Sequence, residues 1–326
     1  MAQSPTLPPL DIWLLVRAHP YGAIGTTAAL ADALTATYGS RFAVWHTSEL
    51  LLGVQDGRLF LRTLGGQEVP APKVVCVRQT PGSMHHDREV TLLRHLERMG
   101  ATLINPLEAH LTCRNKVWQL QELALAGLPV PDSLSYTTSP LDGVVRTPGL
   151  DTPCVVKSAN GHGGKQVFLA PDLTMLRDVA GSLAEEVPVV FQQYVAPSHG
   201  RDLRVVVVDG EAVAAELRTA RDGALASNLA RGGTATLCRG RYPEAEALAV
   251  RAAQSLGLTI AGVDLLFSAT GEHTVCEVNA VPGWRPGMTT VIPAIIDCID
   301  HRLDAYRLAE GPNDPALQRS SPTLRT

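Results

Sequence analysis

Short apolar runs alternate with amphipathic segments over the first hundred residues of the chain. The runs DIWLLVRA (11–18), FAVWH (42–46) and VVCVR (74–78) are short and apolar, as is typical of buried strands. Between them, residues 26–39 and 88–100 repeat apolar side chains at helical spacing, and each segment ends in glycine. This alternation predicts an open α/β domain. It contains no G-x-G-x-x-G sequence, so a dinucleotide site is not supported.

The pattern changes in the second third of the chain. A predicted helix at 115–127 precedes a small unit in which the strands CVVKS and QVFLA flank a glycine-rich turn. Strands predominate from VVFQQYV onward, with one clear helix at 244–257. We therefore expect an α/β protein that is α+β in its second half. Its expected parts are an N-terminal domain (1–112), a central lid domain (113–190), a C-terminal antiparallel-sheet domain (191–310) and a disordered tail (311–326).

Composition narrows the class of protein. The chain has 326 residues, which is more than a single core usually holds. Of these residues, 45% are hydrophobic and 18% are charged. A net charge of -4 without a long basic run gives no support for nucleic-acid binding. No stretch reaches the ~20 apolar residues of a membrane span, and we expect a cytoplasmic protein. The cysteines form no C-x-x-C pair and are predicted to be reduced core thiols: Cys76, Cys113, Cys154, Cys238, Cys276 and Cys298.

The segment HTVCEVNAVPGWR (273–285) breaks the apolar pattern of a strand. Because side chains alternate between the faces of a strand, Glu277 and Asn279 should share one face and Cys276 and Val278 the other. Two polar groups on one face near a core are costly to bury unless they have partners.

The preceding strand supplies a partner. If Thr270 and Gly271 are the central residues of a tight hairpin, Ala269 faces Glu272, and Asp264 lies across from Glu277. Two opposed carboxylates have Cβ atoms roughly 5 Å apart and repel each other, so a cation is expected between them. With Asn279 they offer the hard oxygen ligands that Mg²⁺ prefers. The alternative is that Asp264 faces solvent and Glu277 pairs with an arginine; a one-residue slip would break the pairing.

A second candidate feature is PCVVKSANGHGGKQVFLA (153–170). Lys157 ends an apolar strand just before Gly161, Gly163 and Gly164, whose backbone N–H groups can turn toward a phosphate. A strand follows the glycines, so this is no Walker A loop, and we expect a hairpin lid. A plain glycine-rich turn is the alternative, but a lysine leaving a buried strand needs an anionic partner.

Several arginines follow in residues 200–235. Arg204, Arg218 and Arg231 offer planar donor forks to carboxylate or phosphoryl oxygens. For any one of them, a solvated charged face is the simpler interpretation. Together with the later acidic residues, the set is typical of a site for polyphosphate and Mg²⁺.

The order of these parts resembles the ATP-grasp ligases, and among them the RimK-type amino-acid ligases. The resemblance is carried by VVKSANGHGG, FQQYV, GRDLRVVVVDG, SNLARGG, AGVDLL and EVNAVPGW, and it covers roughly residues 70 to 300. It implies a three-part ATP-grasp fold with ATP between the lid and the C-terminal domain. The relatives imply ATP, two Mg²⁺ ions (for which Mn²⁺ can substitute) and a homodimer or homotetramer.

The resemblance also assigns roles to residues. Asp264, Glu277 and Asn279 match the Mg²⁺ ligands, and Asp202 matches an acidic residue near the ribose. The residues that line the reacting phosphoryl and acyl groups would be Arg204, Arg218, Asn228 and Arg231. The remaining ATP-binding positions would be Lys116, Lys157, Gly161, His162, Gly163, Gly164, Gln192, Gln193, Tyr194 and Val195. In two departures from the family, Gln193 stands where a glutamate is usual, and Ala226 where ligases that add glutamate often carry arginine.

The resemblance implies an ATP-dependent, ADP-forming carboxylate–amine ligase that works through an acylphosphate. The expected reaction adds L-glutamate to an acidic small molecule or cofactor, for instance a pterin of the tetrahydromethanopterin type. The alternatives are an amino-acid ligase acting on a protein C-terminus or carrier protein, and a non-catalytic ATP-binding regulatory protein. We expect the acceptor pocket near Arg17, Arg78, His85 and the segment GWRPGMTT (283–290).

Overall fold

The structure of the chain is a computed structural model that describes most of the sequence. The described residues are 6–17, 25–78, 87–146, 151–160, 166–182, 189–225, 227 and 232–310. The predicted disordered tail, His85 and several predicted loop residues lie outside these ranges.

The N-terminal part is the expected open α/β unit. Its sheet has the order β2-β1-β5-β6, and every neighbouring pair is parallel. The hairpin β3–β4 was not predicted, because its strands carry no regular alternation. The strands are β1 (Ile12–Val16), β2 (Phe42–His46), β3 (Leu50–Gln55), β4 (Arg58–Thr63), β5 (Val74–Val77) and β6 (Thr102–Ile104); the helices are α1 (Gly25–Tyr38) and α2 (Asp87–Arg98).

The central part contains a second sheet, which is antiparallel and has the order β7-β10-β8-β9. The predicted domain boundary between residues 190 and 191 falls inside β10. The strands are β7 (Ser133–Ser135), β8 (Cys154–Ser158), β9 (Val167–Ala170) and β10 (Val189–Gln193). The helices are α3 (Leu107–Cys113), α4 (Lys116–Leu125), α5 (Leu141–Val144) and α6 (Leu173–Ser182).

The C-terminal part is built on a five-stranded antiparallel sheet with the order β13-β12-β11-β14-β15. Its strands are β11 (Arg201–Val208), β12 (Glu211–Thr219), β13 (Thr234–Leu237), β14 (Ile260–Phe267) and β15 (His273–Asn279). Helix α7 (Pro243–Ser255) was predicted, whereas the long helix α8 (Val291–Glu310) was not.

The two faces of this sheet have different partners. On one face, Leu203, Val205 and Val263 form a core with the alanine-rich side of α7. On the other face, apolar residues such as Val206 and Ile260 pack with α8 and the N-terminal sheet. Farther along that second face the side chains become charged. Arg204 lies two residues from Val206, and Asp264 two residues from Gly262, so each projects from the same face as its apolar neighbour. One sheet therefore supplies both a core and a polar surface.

Asn105 joins the N-terminal and C-terminal parts. The side chain is 1% exposed, and its Nδ2 donates to the carbonyl oxygens of Ile260 and Ala280 at 2.7 and 2.8 Å. Its Oδ1 accepts from the backbone N–H groups of Thr259 and Ile260 at 2.7 and 2.8 Å. Four hydrogen bonds from one buried amide hold the start of β14 and the end of β15 against the N-terminal sheet.

The helices and the cysteines bear on the expectations about membrane spans and thiols. None of the helices within the described ranges is both long and apolar enough to cross a membrane. All six cysteines lie within those ranges, and each is a free thiol.

Candidate active site

A row of charged side chains crosses the second face of the five-stranded sheet. The strand register places Glu216 of β12 beside Arg204 of β11, Arg204 beside Asp264 of β14, and Asp264 beside Glu277 of β15. Register neighbours project from the same face, so the four side chains form one line. The predicted pairing of Asp264 with Glu277 is therefore confirmed.

The turn that leads to this pairing differs from the prediction. Ala269 does not face Glu272; the backbone N–H of Ser268 donates to the Glu272 carbonyl at 2.9 Å, and Phe267 pairs with His273. The loop is thus longer than the predicted two-residue turn, and the register near it is shifted by one residue.

A β-bulge restores the register farther from the turn. The pairing shifts between Asp264 and Leu265, so that one extra residue on β15 is accommodated before Glu277. As a result Val275 and Val278 both join the core on the α7 face. The predicted sharing of that face by Cys276 and Val278 is wrong, because alternation fails at a bulge. Burial raises the pKa of the Cys276 thiol, which lies within electrostatic range of Lys157 and Glu277.

Asp264 is held by two arginines. Arg204 binds both oxygens of its carboxylate, through Nε and, at 2.7 Å, through Nη2. Arg218 Nη2 lies 2.8 Å from Asp264 Oδ1. Burial alone would raise the pKa of Asp264, but the two guanidinium groups outweigh burial, so the pKa is lowered and the carboxylate is ionised. The alternative of a solvent-facing Asp264 is wrong, since the residue is buried.

Arg218 is shared between two carboxylates. Its Nε and Nη2 donate to the oxygens of Asp202 at 2.6 and 2.7 Å, in a bidentate pair. Ser227 Oγ donates to the same carboxylate at 2.6 Å. The pKa of Arg218 is raised, because Asp264 and Asp202 outweigh the opposing effect of burial. Asp202 therefore orients Arg218, and its expected position near a ribose stays a prediction.

Glu277 is paired with a lysine and not with the alternative arginine. Lys116 begins α4, and its Nζ lies 3.4 Å from Glu277 Oε1, with the lysine side chain 8% exposed. The side chain of Asn115 caps the helix by accepting from the Val117 N–H at 2.9 Å. The backbone N–H of Lys116 donates to the Ala159 carbonyl at 2.9 Å, which ties the start of α4 to the end of β8.

Gln119 fixes the same helix to β15, and the sequence reasoning missed it. Its Oε1 accepts from the Val278 N–H at 2.8 Å, and its Nε2 donates to the Cys113 carbonyl at 2.6 Å. Val278 lies between Glu277 and Asn279. The one available signal was a polar residue three positions after Lys116, on the same side of the predicted helix.

Lys157 is a buried cation with a neutral partner. The side chain is 5% exposed, and its Nζ donates to Gln192 Oε1 at 2.8 Å. Gln192 in turn donates from Nε2 to Ser133 Oγ at 2.9 Å. An ammonium group that is removed from water and hydrogen-bonded to an amide has strong remaining affinity for an anion.

Asp264, Glu277 and Asn279 offer oxygen donors of the kind that fits Mg²⁺, since Asp264 Oδ2 has only one of the three contacts with Arg204 and Arg218 and can accept a further ligand. Within the described ranges, no group of three or more histidine, cysteine or acidic side chains is arranged to hold a metal. Mg²⁺ is typically bound by one or two carboxylates together with water and substrate phosphates. Asn279 Nδ2 lies 3.4 Å from the Gly262 carbonyl, which leaves the amide oxygen as the end that can accept a cation.

Three further predicted residues lie at the end of β10 and directly after it. Gln193 is exposed at the end of β10, and its N–H donates to the Asp132 carbonyl at 2.8 Å. Tyr194 shares a 2.8 Å hydrogen bond with His199 Nδ1, and Val195 begins the following turn. Six predicted site residues lie outside the described ranges: Gly161, His162, Gly163, Gly164, Asn228 and Arg231. Ala226, one of the two departures from the family, also lies outside them.

An ion pair at the other end of the charged row was also missed. Arg285 Nε donates to Glu216 Oε2 at 2.6 Å, and the Glu216 side chain is only 5% exposed. Arg285 lies in the segment expected to lead to the acceptor pocket, but Glu216 is 69 residues away in sequence. No local pattern joins them.

Comparisons with known proteins place the chain in context. The family model of the RimK-like ATP-grasp domain matches residues 113–301. Human "Beta-citrylglutamate synthase B" is 40% identical over 238 residues, which are 72% of this chain and 61% of the relative. Mouse "N-acetylaspartylglutamate synthase A" is 39% identical over 248 residues, 74% of this chain and 64% of the relative. "Probable alpha-L-glutamate ligase 2" of Shewanella baltica is 33% identical over 247 residues, which are 73% of this chain and 79% of the relative.

The matched region spans less than two thirds of the length of the first two relatives. Among solved structures, the ATP-grasp ligase PsnB complexed with its minimal precursor has a TM-score of 0.66 at 22% identity, covering 91% of this chain and all of that one. The D-alanine-D-alanine ligase from Coxiella burnetii has a TM-score of 0.66 at 13% identity, and the match covers 92% of this chain and 98% of that one. These similarities confirm the expected fold class.

Proposed function

Since this chain belongs to the RimK-like ATP-grasp family, we propose that it is an ATP-dependent ligase that joins a carboxylate to the amine of L-glutamate. ATP is the proposed phosphoryl donor, with Mg²⁺ bound by Asp264, Glu277 and Asn279. The bound cation would supply charge neutralisation for the phosphates, in addition to that supplied by the protein's own cations.

The observation that carries this proposal is that two buried lysines lie near Glu277, Lys116 in direct contact and Lys157 within electrostatic range of the neighbouring residue Cys276. Lys116 contacts Glu277, and Lys157 has only a neutral hydrogen-bond partner among the described residues. A polyphosphate brings the anionic oxygens that Lys157 lacks, and the carboxylates offer ligands to the cation that accompanies it. The two features complement one ligand, a nucleoside triphosphate with its metal.

The proposed reaction has two steps. A carboxylate oxygen of the acceptor acid attacks the γ-phosphorus of ATP, the bond to the ADP oxygen breaks, and an acylphosphate and ADP result. The amine of glutamate then attacks the acyl carbon, the carbon–oxygen bond to phosphate breaks, and an amide, phosphate and a proton are released. Arg204 and Arg218 each keep the Nη1 end of the guanidinium outside the contacts with Asp264 and Asp202, and these ends would stabilise the charge on the acyl group.

The names of the relatives support a small acid with more than one carboxylate as the acceptor. Citrylglutamate and N-acetylaspartylglutamate each combine glutamate with such an acid. Several expectations stay predictions: a pterin or a protein as the acceptor, two metal ions, substitution by Mn²⁺, a cytoplasmic location, and a dimer or tetramer. The roles expected for Asn228, Arg231 and the glycine-rich loop do so as well.

The test follows the transfer of an ¹⁸O atom from the acid to the released phosphate. The protein is incubated with ATP, MgCl₂, L-glutamate and either citrate or N-acetyl-L-aspartate labelled with ¹⁸O in its carboxylates. We expect equal amounts of ADP, phosphate and a product with the mass of acid plus glutamate minus water. One ¹⁸O atom should appear in each phosphate, because the acylphosphate oxygen comes from the acid. Absence of ADP with both acids would count against this function and favour the regulatory alternative.

A further inference from the structure

The N-terminal sheet has a topological switch point beside the active site. The chain passes from β1 to β2 on one side of the sheet and later places β5 on the other side of β1. In open parallel sheets, ligands bind in the crevice outside the carboxyl ends of the strands at such a point. Arg17 and Arg78 directly follow β1 and β5, so both lie at this edge.

The two arginines differ in their partners. Arg17 is half exposed and lies 3.8 Å from Glu89. The guanidinium of Arg78 instead stacks over the ring of Trp284, 4.6 Å from the centroid, and its Nη1 donates to the Pro282 carbonyl at 3.0 Å. No ion pair of Arg78 with a carboxylate occurs among the described residues, and its Nε is buried without a hydrogen bond. Burial lowers the pKa of Arg78.

Contacts through Pro282 connect Arg78 to the row of charged residues. A Cβ atom at Gly262 would lie 2.7 Å from Pro282 Cβ and 3.1 Å from Arg204 Nη1, so these residues converge on the glycine. Gly262 is also the register partner of Asn279. Arg78 is therefore connected through Pro282 and Gly262 to Arg204, which the proposed function places beside the reacting carboxylate.

We propose that Arg78, stacked on Trp284, binds a second carboxylate of the acceptor acid, one that is not phosphorylated. Nη1 is already engaged by a carbonyl, which leaves the edge formed by Nε and Nη2 for a bidentate carboxylate. An acceptor with two or more carboxylates then offers an oxygen to the unpaired Nε and a negative charge to a guanidinium that has no carboxylate partner among the described residues. This inference rests on the proposed ligase function and specifies its acceptor as a di- or tricarboxylate.

The test measures acid binding by calorimetry, without ATP or glutamate, so that binding is read separately from turnover. The probes are citrate, N-acetyl-L-aspartate and two single-carboxylate analogues of the latter, N-acetyl-L-alanine and N-acetyl-β-alanine. We expect the wild type to bind citrate or N-acetyl-L-aspartate roughly 10- to 100-fold more tightly than both analogues, the change that corresponds to the loss of hydrogen bonds to a charged group. Arg78→Met should abolish this preference, and Arg78→Lys should retain only part of it.

Arg62→Met is the matched control. Arg62 also stacks on an aromatic ring, Phe60, with a buried and unpaired Nε, but it belongs to the hairpin β3–β4. It should keep the wild-type preference for two carboxylates. Melting temperatures of all variants show whether the fold is retained; if Arg78→Met is unfolded, Arg78→Lys decides.

The outcomes separate the two proposals. Equal binding of the diacids and the monoacids by the wild type, binding of neither citrate nor N-acetyl-L-aspartate, or an unchanged preference in folded Arg78 variants would overturn the inference. A wild-type protein that shows the expected preference but forms no ADP would contradict the proposed function and leave the carboxylate subsite standing.

Discussion

Gln119 provides the sharpest test of how the active-site strand is held. In the variant Gln119→Met a side chain of similar length replaces the amide, and two hydrogen bonds are lost. The Val278 N–H and the Cys113 carbonyl then have no side-chain partner. Each buried polar group left unpaired costs about 1–3 kcal/mol, and burial of the apolar methionine recovers part of that loss.

We therefore expect the free energy of unfolding to fall by about 3 kcal/mol. Urea denaturation measures it, and the slope of the free energy against urea concentration should stay at the wild-type value. Gln121→Met is the matched control, because Gln121 is exposed on the same helix. A surface substitution of this kind should change stability by less than about 0.5 kcal/mol.

The same variant tests a positioning role. Val278 separates Glu277 from Asn279, so loss of its hydrogen bond should loosen both proposed Mg²⁺ ligands. We expect the Mg²⁺ concentration for half-maximal ADP formation to rise several-fold in Gln119→Met and to stay unchanged in Gln121→Met. A Gln119→Met protein with wild-type stability and wild-type Mg²⁺ dependence would refute both parts of the reasoning. Lower stability with unchanged Mg²⁺ dependence would refute the positioning role alone.

Three further outcomes are expected. Glu277→Gln, which removes the charge that pairs with Lys116, should abolish ADP formation while circular dichroism shows a retained fold; full turnover would contradict the metal assignment. Asn105→Leu leaves backbone groups at Ile260 and Ala280 without partners, and calorimetric unfolding should show a loss of about 3–5 kcal/mol. Burial lowers the pKa of His110 from 6.5 to about 4. Between these values the unfolded chain binds a proton that the folded chain does not, so stability falls as the pH falls, by about 3 kcal/mol. His110→Gln should remove this part of the pH dependence of unfolding, and an unchanged dependence would exclude His110 as its source.

The pairing of Asp264 with Glu277 shows how far local patterns reach. The predicted pairing is correct although the predicted turn is not, because the longer turn shifts the register by one residue and the bulge before Glu277 shifts it back. A hydrophobic pattern reports which face of a strand is buried. A bulge depends on how that strand meets its neighbour, so Cys276 was assigned to the wrong face.

Many of the strands and helices, and the pairing of the two carboxylates, were determined by the sequence by itself, since periodicity and turn residues act over a few positions along the chain. The hairpin β3–β4 and helix α8 were not. Which cation meets which anion was decided only by the tertiary structure. Arg218 reaches both Asp202 and Asp264, Lys116 reaches Glu277, and the partners are separated by 16 to 161 residues. Arg78 meets Trp284 across 206 residues for the same reason. These contacts arise because buried apolar faces dock the sheets and helices against each other, and the charged ends of the strands are carried into one site by that packing.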